Sequence, residues 1–145
     1  MQWSKREMDW YYRGLRYNYY PQNVVDFIST KINKHISIVD VGSGIGAFTF
    51  PLTKFFKKVI AVDYSQNMLD YLQNLAEKKK KKNKIKIKVG DWNKINFDDE
   101  SPFNSLITAY SGKEVVGNKY SIKKMIKITD DYIFLFVPGE RKKHS

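Results

Sequence analysis

The chain has 145 residues, 42% of them hydrophobic and 15% aromatic, which suits one domain with a sizeable core and excludes a disordered polymer. It has no cysteine, which excludes disulfides, a thiolate metal site and a cysteine nucleophile, and it has no apolar run of about 18 residues that would span a membrane. The net charge of +11 invites an anionic partner, but residues 78–88 hold eight of the 26 basic residues and no acid, so most of the excess is one local run.

The N-terminal stretch MQWSKREMDWYYR has scattered charges and no apolar h-region, so no signal peptide is expected and the location is expected to be cytoplasmic. Trp3, Trp10 and Tyr17 stand at heptad spacing and predict one face of a helix, which Gly14 weakens. Five of the ten tyrosines fall between Tyr11 and Tyr20. Pro21 suits the first turn of a second helix, and Val24, Val25, Phe27, Ile28 and Ile32 give it an apolar stripe. Ile36–Val41 reads as a buried strand that runs into a glycine-rich turn. Phe48, Leu52, Phe55 and Phe56 then predict a helix face, with Pro51 near its start.

Val59–Val62 is a short buried strand ending at Asp63. Ser65 is a candidate N-cap for a helix carrying Met68, Leu69, Leu72, Leu75 and Ala76. Ile85, Ile87 and Val89 alternate with Lys84, Lys86 and Lys88, which predicts a half-exposed edge strand with its lysines outward. Phe103–Ala109 is the next strand. Ser121 is a candidate cap for a helix with Ile122, Met125 and Ile126. Tyr132–Val137 is a continuous apolar strand stopped by Pro138–Gly139, and RKKHS reads as a frayed tail. His35 and His144 are far apart and read as surface residues, not metal ligands. Strands alternating with helices predict an α/β fold with a parallel sheet covered on both faces. It forms one domain, 1–145, with a helical cap at 1–34, a core at 35–138 and a tail at 139–145.

The stretch IVDVGSGIGAF, from Ile38 to Phe48, formally satisfies the dinucleotide-binding pattern through Gly42, Gly44 and Ala47. Three acids bear on which ligand it holds. Asp40, at the carboxyl end of the first strand, is costly to bury without a partner and suits a cationic ligand such as S-adenosylmethionine better than a pyrophosphate. Asp63 ends the second strand, where a carboxylate accepts hydrogen bonds from ribose hydroxyls. Asp91, in VGDW after the edge strand, is placed to take an adenine amine, with Trp92 or its neighbour packing on the ring; the other reading of Gly90–Asp91 is a plain turn.

These residues resemble the motifs of the class I S-adenosylmethionine-dependent methyltransferases over roughly residues 36–137. VDVGSGIGAF is similar to their glycine-rich first motif, VIAVDYSQNML to the second and VGDW to the third. The resemblance implies a Rossmann-like three-layer sandwich with a mostly parallel sheet in the order 3-2-1-4-5 and an N-terminal aromatic helical segment. It implies that Gly42, Ser43, Gly44 and Gly46 approach the methionine part of the cofactor, with a helix N-terminus facing its carboxylate. Asp63, Tyr64 and Met68 follow from the second motif, and Asp91 and Trp92 from the third. Tyr11 or Tyr12 would close over the cofactor, as in the lid helix of small-molecule members. The product would be S-adenosylhomocysteine.

The family usually adds a sixth and a seventh strand, and the sequence does not supply them. The apolar fifth strand is then an edge, which predicts self-association or a partner protein there; the alternative is that the chain is a fragment of something longer. The N-P-P-Y type motif of amino-methylating nucleic-acid enzymes is absent, and Asn104 stands where the family often has Asp. No catalytic residue is assigned; Tyr110, lining a substrate pocket, and Glu114, as a general base if partly buried, are the candidates. The expected acceptor is a small molecule. The alternatives are an RNA or protein methyltransferase, supported by the lysine run, a non-catalytic scaffold subunit, and a NAD-dependent dehydrogenase, which Asp40 and VGDW fit poorly.

Overall fold

The computed structural model describes residues 2–139; the predicted frayed end RKKHS and His144 lie outside the described residues. Helix α1, Lys5–Leu15, starts at Ser4, whose Oγ accepts from the Glu7 N–H at 3.2 Å. It therefore begins after Trp3 and ends before Tyr17, so the expected heptad face does not form. Trp10 is exposed, and Trp3 instead sets its ring edge-to-face with Tyr11, with centroids 5.3 Å apart. Met8 is the buried contact of α1. Helix α2, Tyr20–Ser29, has Pro21 in its first turn as predicted, where a missing N–H costs nothing. Val25 and Ile28 face the core and Phe27 faces solvent.

Among the described residues five strands follow: β1 Ser37–Val41, β2 Lys58–Asp63, β3 Ile85–Val89, β4 Phe103–Ala109 and β5 Thr129–Phe136. The sheet order is β3-β2-β1-β4-β5, and all four pairings are parallel. Three-layer packing follows from the period of two along each strand. On one face Ile38, Val59 and Ile107 pack against Val25, Ile28, Leu52 and Phe56, and Ala61 packs against Leu69 and Leu72. On the other, Val39, Val41, Ile60, Val62 and Leu106 pack against Trp92, Phe97, Val115, Met125 and Ile128. Each such aliphatic side chain stabilises the fold by about 1.5–3 kcal/mol through burial.

Helix α3, Thr49–Leu52, is a single turn, shorter than the apolar spacing predicted. Pro51 occupies its third position, in the first turn, where proline is tolerated. The Thr53 hydroxyl donates to the Phe50 carbonyl at 2.6 Å, and three-residue bonds from Lys54 and Phe55 tighten the chain out of the helix. Phe56 is then buried and Phe55 lies outside it. Helix α4, Gln66–Lys78, starts at Ser65 as expected, with the Met68 N–H donating to Ser65 Oγ.

Two further expectations need correction. The β3 lysines do not simply point outward. The Lys88 side chain is only 18% exposed, and Lys86 Nζ and Lys88 Nζ lie 3.0 and 2.6 Å from Glu100 Oε1, so the strand is braced by a carboxylate from the following loop. After helix α5, Lys113–Val116, helix α6, Lys119–Ile128, is capped by Asn118 and not by Ser121. The Asn118 side chain accepts from Tyr120 and Ser121, while the buried Ser121 hydroxyl accepts the Trp92 indole N–H at 2.8 Å. At the other edge, among the described residues, β5 is flanked by β4 alone and leaves Tyr132 and Leu135, and Val137 just after it, exposed. Among the described residues no helix is long and apolar enough to cross a membrane.

Candidate functional site

The carboxyl ends of β1, β2 and β4 open into a cavity of about 810 Å³. In an open α/β sheet this is where a ligand crevice forms, because neighbouring strands send their connections to opposite faces. Its floor is the turn after β1. Gly42, Gly44 and Gly46 have φ of +77°, +55° and +101°, which side-chain-bearing residues adopt only with strain. The N–H groups of Gly42 and Ser43 both donate to the Val62 carbonyl, at 2.8 and 3.0 Å, and clamp the turn to β2. Gly46 donates to the Ser43 carbonyl.

Asp63, only 9% exposed, completes the clamp. Its Oδ2 accepts from the Gly44 N–H and its Oδ1 from the Ser65 N–H, each at 2.9 Å. Each oxygen keeps a lone pair for a further donor from the cavity. One carboxylate thus sets the glycine turn, starts α4 and faces the cavity. The glycine N–H groups are consumed within the protein, and α3 is one turn long. The expected helix N-terminus facing a ligand carboxylate is therefore not formed, and the glycines supply close approach instead of donors. Gly44 lets Met68 close in, since a Cβ there would lie 3.4 Å from the Met68 sulfur. Ser43 Oγ is buried without a hydrogen-bond partner in the cavity wall, a polar atom that a ligand would satisfy.

Asp40 lies beneath the cavity, not in its wall. It is 2% exposed, and its one side-chain hydrogen bond is from Thr49 Oγ1 at 2.7 Å. Burial pushes its pKa up to about 7, against the lowering effect of the Thr49 bond and with a smaller push from Asp63. The direct contact with a ligand that its position suggested is replaced by support from α3, and Thr49 is a partner that sequence reading missed.

Asp91 lines the cavity and also accepts from the Asn93 N–H at 2.9 Å, so the Gly90–Asp91 turn forms at the cavity wall. Trp92 departs from expectation. It touches the cavity wall but is only 4% exposed, its indole N–H is bonded to Ser121, and its ring packs on Phe97 and under Lys124, so the ring is held mainly in the core. Lys124 Nζ donates to the Trp92 and Ile95 carbonyls and pins this loop; burial lowers its pKa.

The roof is aromatic. Tyr11 and Trp3 line the cavity, while Tyr12 turns away onto Tyr71. Burial raises the Tyr11 phenol, and the Asp40 charge adds to the rise. Tyr64 lies exposed at the rim. Tyr110, at the end of β4, has φ +59°, uncommon for a bulky residue, and its hydroxyl is hydrogen-bonded to that of Tyr20. Glu114 lines the cavity but is exposed, so the partial burial that a general base would need is missing. Tyr20 carried no local signal beyond being aromatic. Among the described residues no cluster of His, Asp or Glu could hold a metal ion.

A family model described as "Methyltransferase domain" matches residues 38–127. The protein-lysine N-methyltransferase EFM4 of Saccharomyces cerevisiae is 30% identical over 89 residues, which are 53% of this chain and 39% of that protein. The chain thus spans well under half the length of this curated relative. Among solved structures, a Methanococcus maripaludis protein assigned to the S-adenosylmethionine-dependent methyltransferases superposes with a TM-score of 0.72 at 21% identity, covering 93% of this chain and 67% of that one. An S-adenosylmethionine-dependent methyltransferase from Clostridium acetobutylicum gives 0.67 at 22% identity, covering 81% and 50%.

Proposed function

Because the chain belongs to the methyltransferase domain family, we propose that its cavity binds S-adenosylmethionine and that it directs the methyl group to a small-molecule acceptor. The observation that carries the reading is Asp63. A fixed carboxylate at the end of β2 shares one cavity with the glycine turn and Asp91, and this arrangement fits a ribose between a methionine and an adenine. The orphaned Ser43 hydroxyl and the close approach at Gly44 fit the methionine part.

When bound, the cofactor supplies a sulfonium-activated methyl group, already a strong electrophile. The chain's own contribution is then alignment and exclusion of water, and no catalytic residue need exist. Asp63 would hold the ribose hydroxyls and Asp91 the adenine amine. Trp3 and Tyr11 would cover the site, and Tyr110, braced by Tyr20, would line the acceptor side. The aromatic roof favours a small acceptor. A protein lysine is the second reading, supported by similarity to the yeast enzyme. The division into cap, core and tail, a cytoplasmic setting, and a second copy or partner on the β5 edge belong to the same proposal.

Calorimetric titration with S-adenosylmethionine and S-adenosylhomocysteine, with NAD as control, tests it. Both should bind and NAD should not. Asp63→Asn should weaken binding about 10- to 100-fold, the loss of one charge-assisted hydrogen bond, while a melting curve shows the variant folded. Equal binding of NAD, or an Asp63→Asn variant that binds normally, would refute the assignment.

A further inference from the structure

Behind the glycine turn, on the side away from the cavity, two contiguous hollows of about 290 and 560 Å³ share Tyr12, Arg16, Leu75 and Lys79. Together they form one groove between α1, the turn into α2, α3 and the end of α4. Lys54 lies toward one end, Lys5 and Lys78 toward the other, and Arg16 and Lys79 in the middle. All five cations are exposed, and the ion pairs of the described residues involve none of them. The one carboxylate in the walls, Asp9, already accepts from the Tyr71 hydroxyl at 2.7 Å.

The two central cations are held in place. Arg16 and Lys79 lie 5.7 and 5.6 Å from the centroid of the same ring, Tyr12, and Lys79 is also 5.4 Å from that of Phe50. A cation bound to a ring face loses less freedom when it meets an anion than one on a free stem. Tyr19, in the groove wall and exposed, offers an aromatic face beside them. In sequence the lysines continue past the end of α4 through Lys80–Lys82, of which Lys82 pairs with Glu77. Like charges gathered this closely repel one another, a cost that an anionic partner offsets.

We propose that this groove binds single-stranded nucleic acid, with the phosphates on Arg16, Lys79 and Lys54 and a base against Tyr19. Five cations along two joined hollows exceed what one phosphate group needs, and cations interleaved with aromatic rings are what a flexible backbone with stacking bases requires. The groove is independent of the cofactor reading, although Ile45 and Ala47 line both it and the cavity.

The test is fluorescence anisotropy of the whole chain with labelled oligouridylate and oligothymidylate of about 12 nucleotides, titrated at several salt concentrations, with polyglutamate as a competitor. Affinity should fall with salt with a log–log slope of about −2, from three phosphates engaged at about −0.7 each. The pair Arg16→Gln and Lys79→Gln should reduce that slope by about 1.4. The pair Lys123→Gln and Lys127→Gln, equal in charge but on α6, should leave it unchanged. Binding to either oligonucleotide with this pattern supports the groove. Absence of binding at low salt, equal effects of the two pairs, or competition by polyglutamate as strong as by unlabelled oligonucleotide overturns it. All these substitutions are at exposed positions, and circular dichroism verifies that each variant is folded.

Discussion

Replacing Asp40 with Asn should stabilise the protein at alkaline pH and leave it unchanged at acid pH. Asp40 is 2% exposed, with Thr49 Oγ1 as its only side-chain hydrogen-bond partner, and its pKa rises from 3.8 to about 7. The folded state therefore holds a proton that the unfolded chain releases between those two values. Its contribution to stability is intact below the unfolded pKa and is lost as pH rises through about 7. Roughly three pKa units at about 1.36 kcal/mol each make the full effect about 4 kcal/mol above pH ~8. Asn has the same shape and keeps a hydrogen bond with Thr49 but never ionises. Urea unfolding of both proteins from about pH 4 to pH 8.5 reads the difference. The midpoints should coincide at the acid end and separate by about 2 M at the alkaline end, for a slope of about 2 kcal/mol per molar. A difference that does not vary with pH, or an Asn variant that is less stable at alkaline pH, would show that burial does not govern Asp40. A cationic cofactor in the cavity above should favour the ionised form. S-adenosylmethionine should then gain affinity over its uncharged-sulfur product as pH rises, in the native protein and not in Asp40→Asn.

Other perturbations reach different parts of the argument. Gly46→Ala places a Cβ 2.7 Å from the Phe50 ring at a φ of +101°, so it should lower the urea midpoint by an amount equivalent to about 1–3 kcal/mol from the backbone alone. In Glu100, burial raises the pKa but hydrogen bonds from Lys88 and Lys86 outweigh it and hold the group below its usual range. Glu100→Gln should therefore destabilise by about 1 kcal/mol at neutral pH. Thermal melts should show that deficit vanish as pH falls through the depressed pKa of the native Glu100, because its carboxylate then protonates and the pairing is lost. Tyr11→Ala should weaken cofactor binding by calorimetry with little change in melting temperature, whereas Tyr12→Ala, which faces the groove, should spare cofactor affinity; the reverse pattern would mean that α1 is not the roof.

The strands, their alternation with helices, the cap at Ser65, the place of Pro21 and the glycine turn between Val41 and Phe48 were all legible in the sequence. Each depends on neighbours a few residues apart, through backbone φ, the period of two or a capping bond. Asp63 was legible for the same reason, since a carboxylate at a buried strand's end is local information. What the sequence could not decide was pairing across distance. Trp92 and Asp91 are adjacent in sequence, but only the packing of α6, with Ser121 waiting for the indole N–H, sends the ring into the core and leaves the carboxylate at the cavity. Asp40 looked like a ligand contact until α3 brought Thr49 to it from nine residues away. The β3 lysines read as solvent-facing until Glu100 folded back onto them. A helix N-terminus was expected to face a ligand carboxylate, but Val62 and Asp63, some twenty residues later, accept the N–H groups of the turn. Local pattern determines where a polar group sits along its own element, and only the tertiary structure determines which partner satisfies it and hence which groups remain for a ligand.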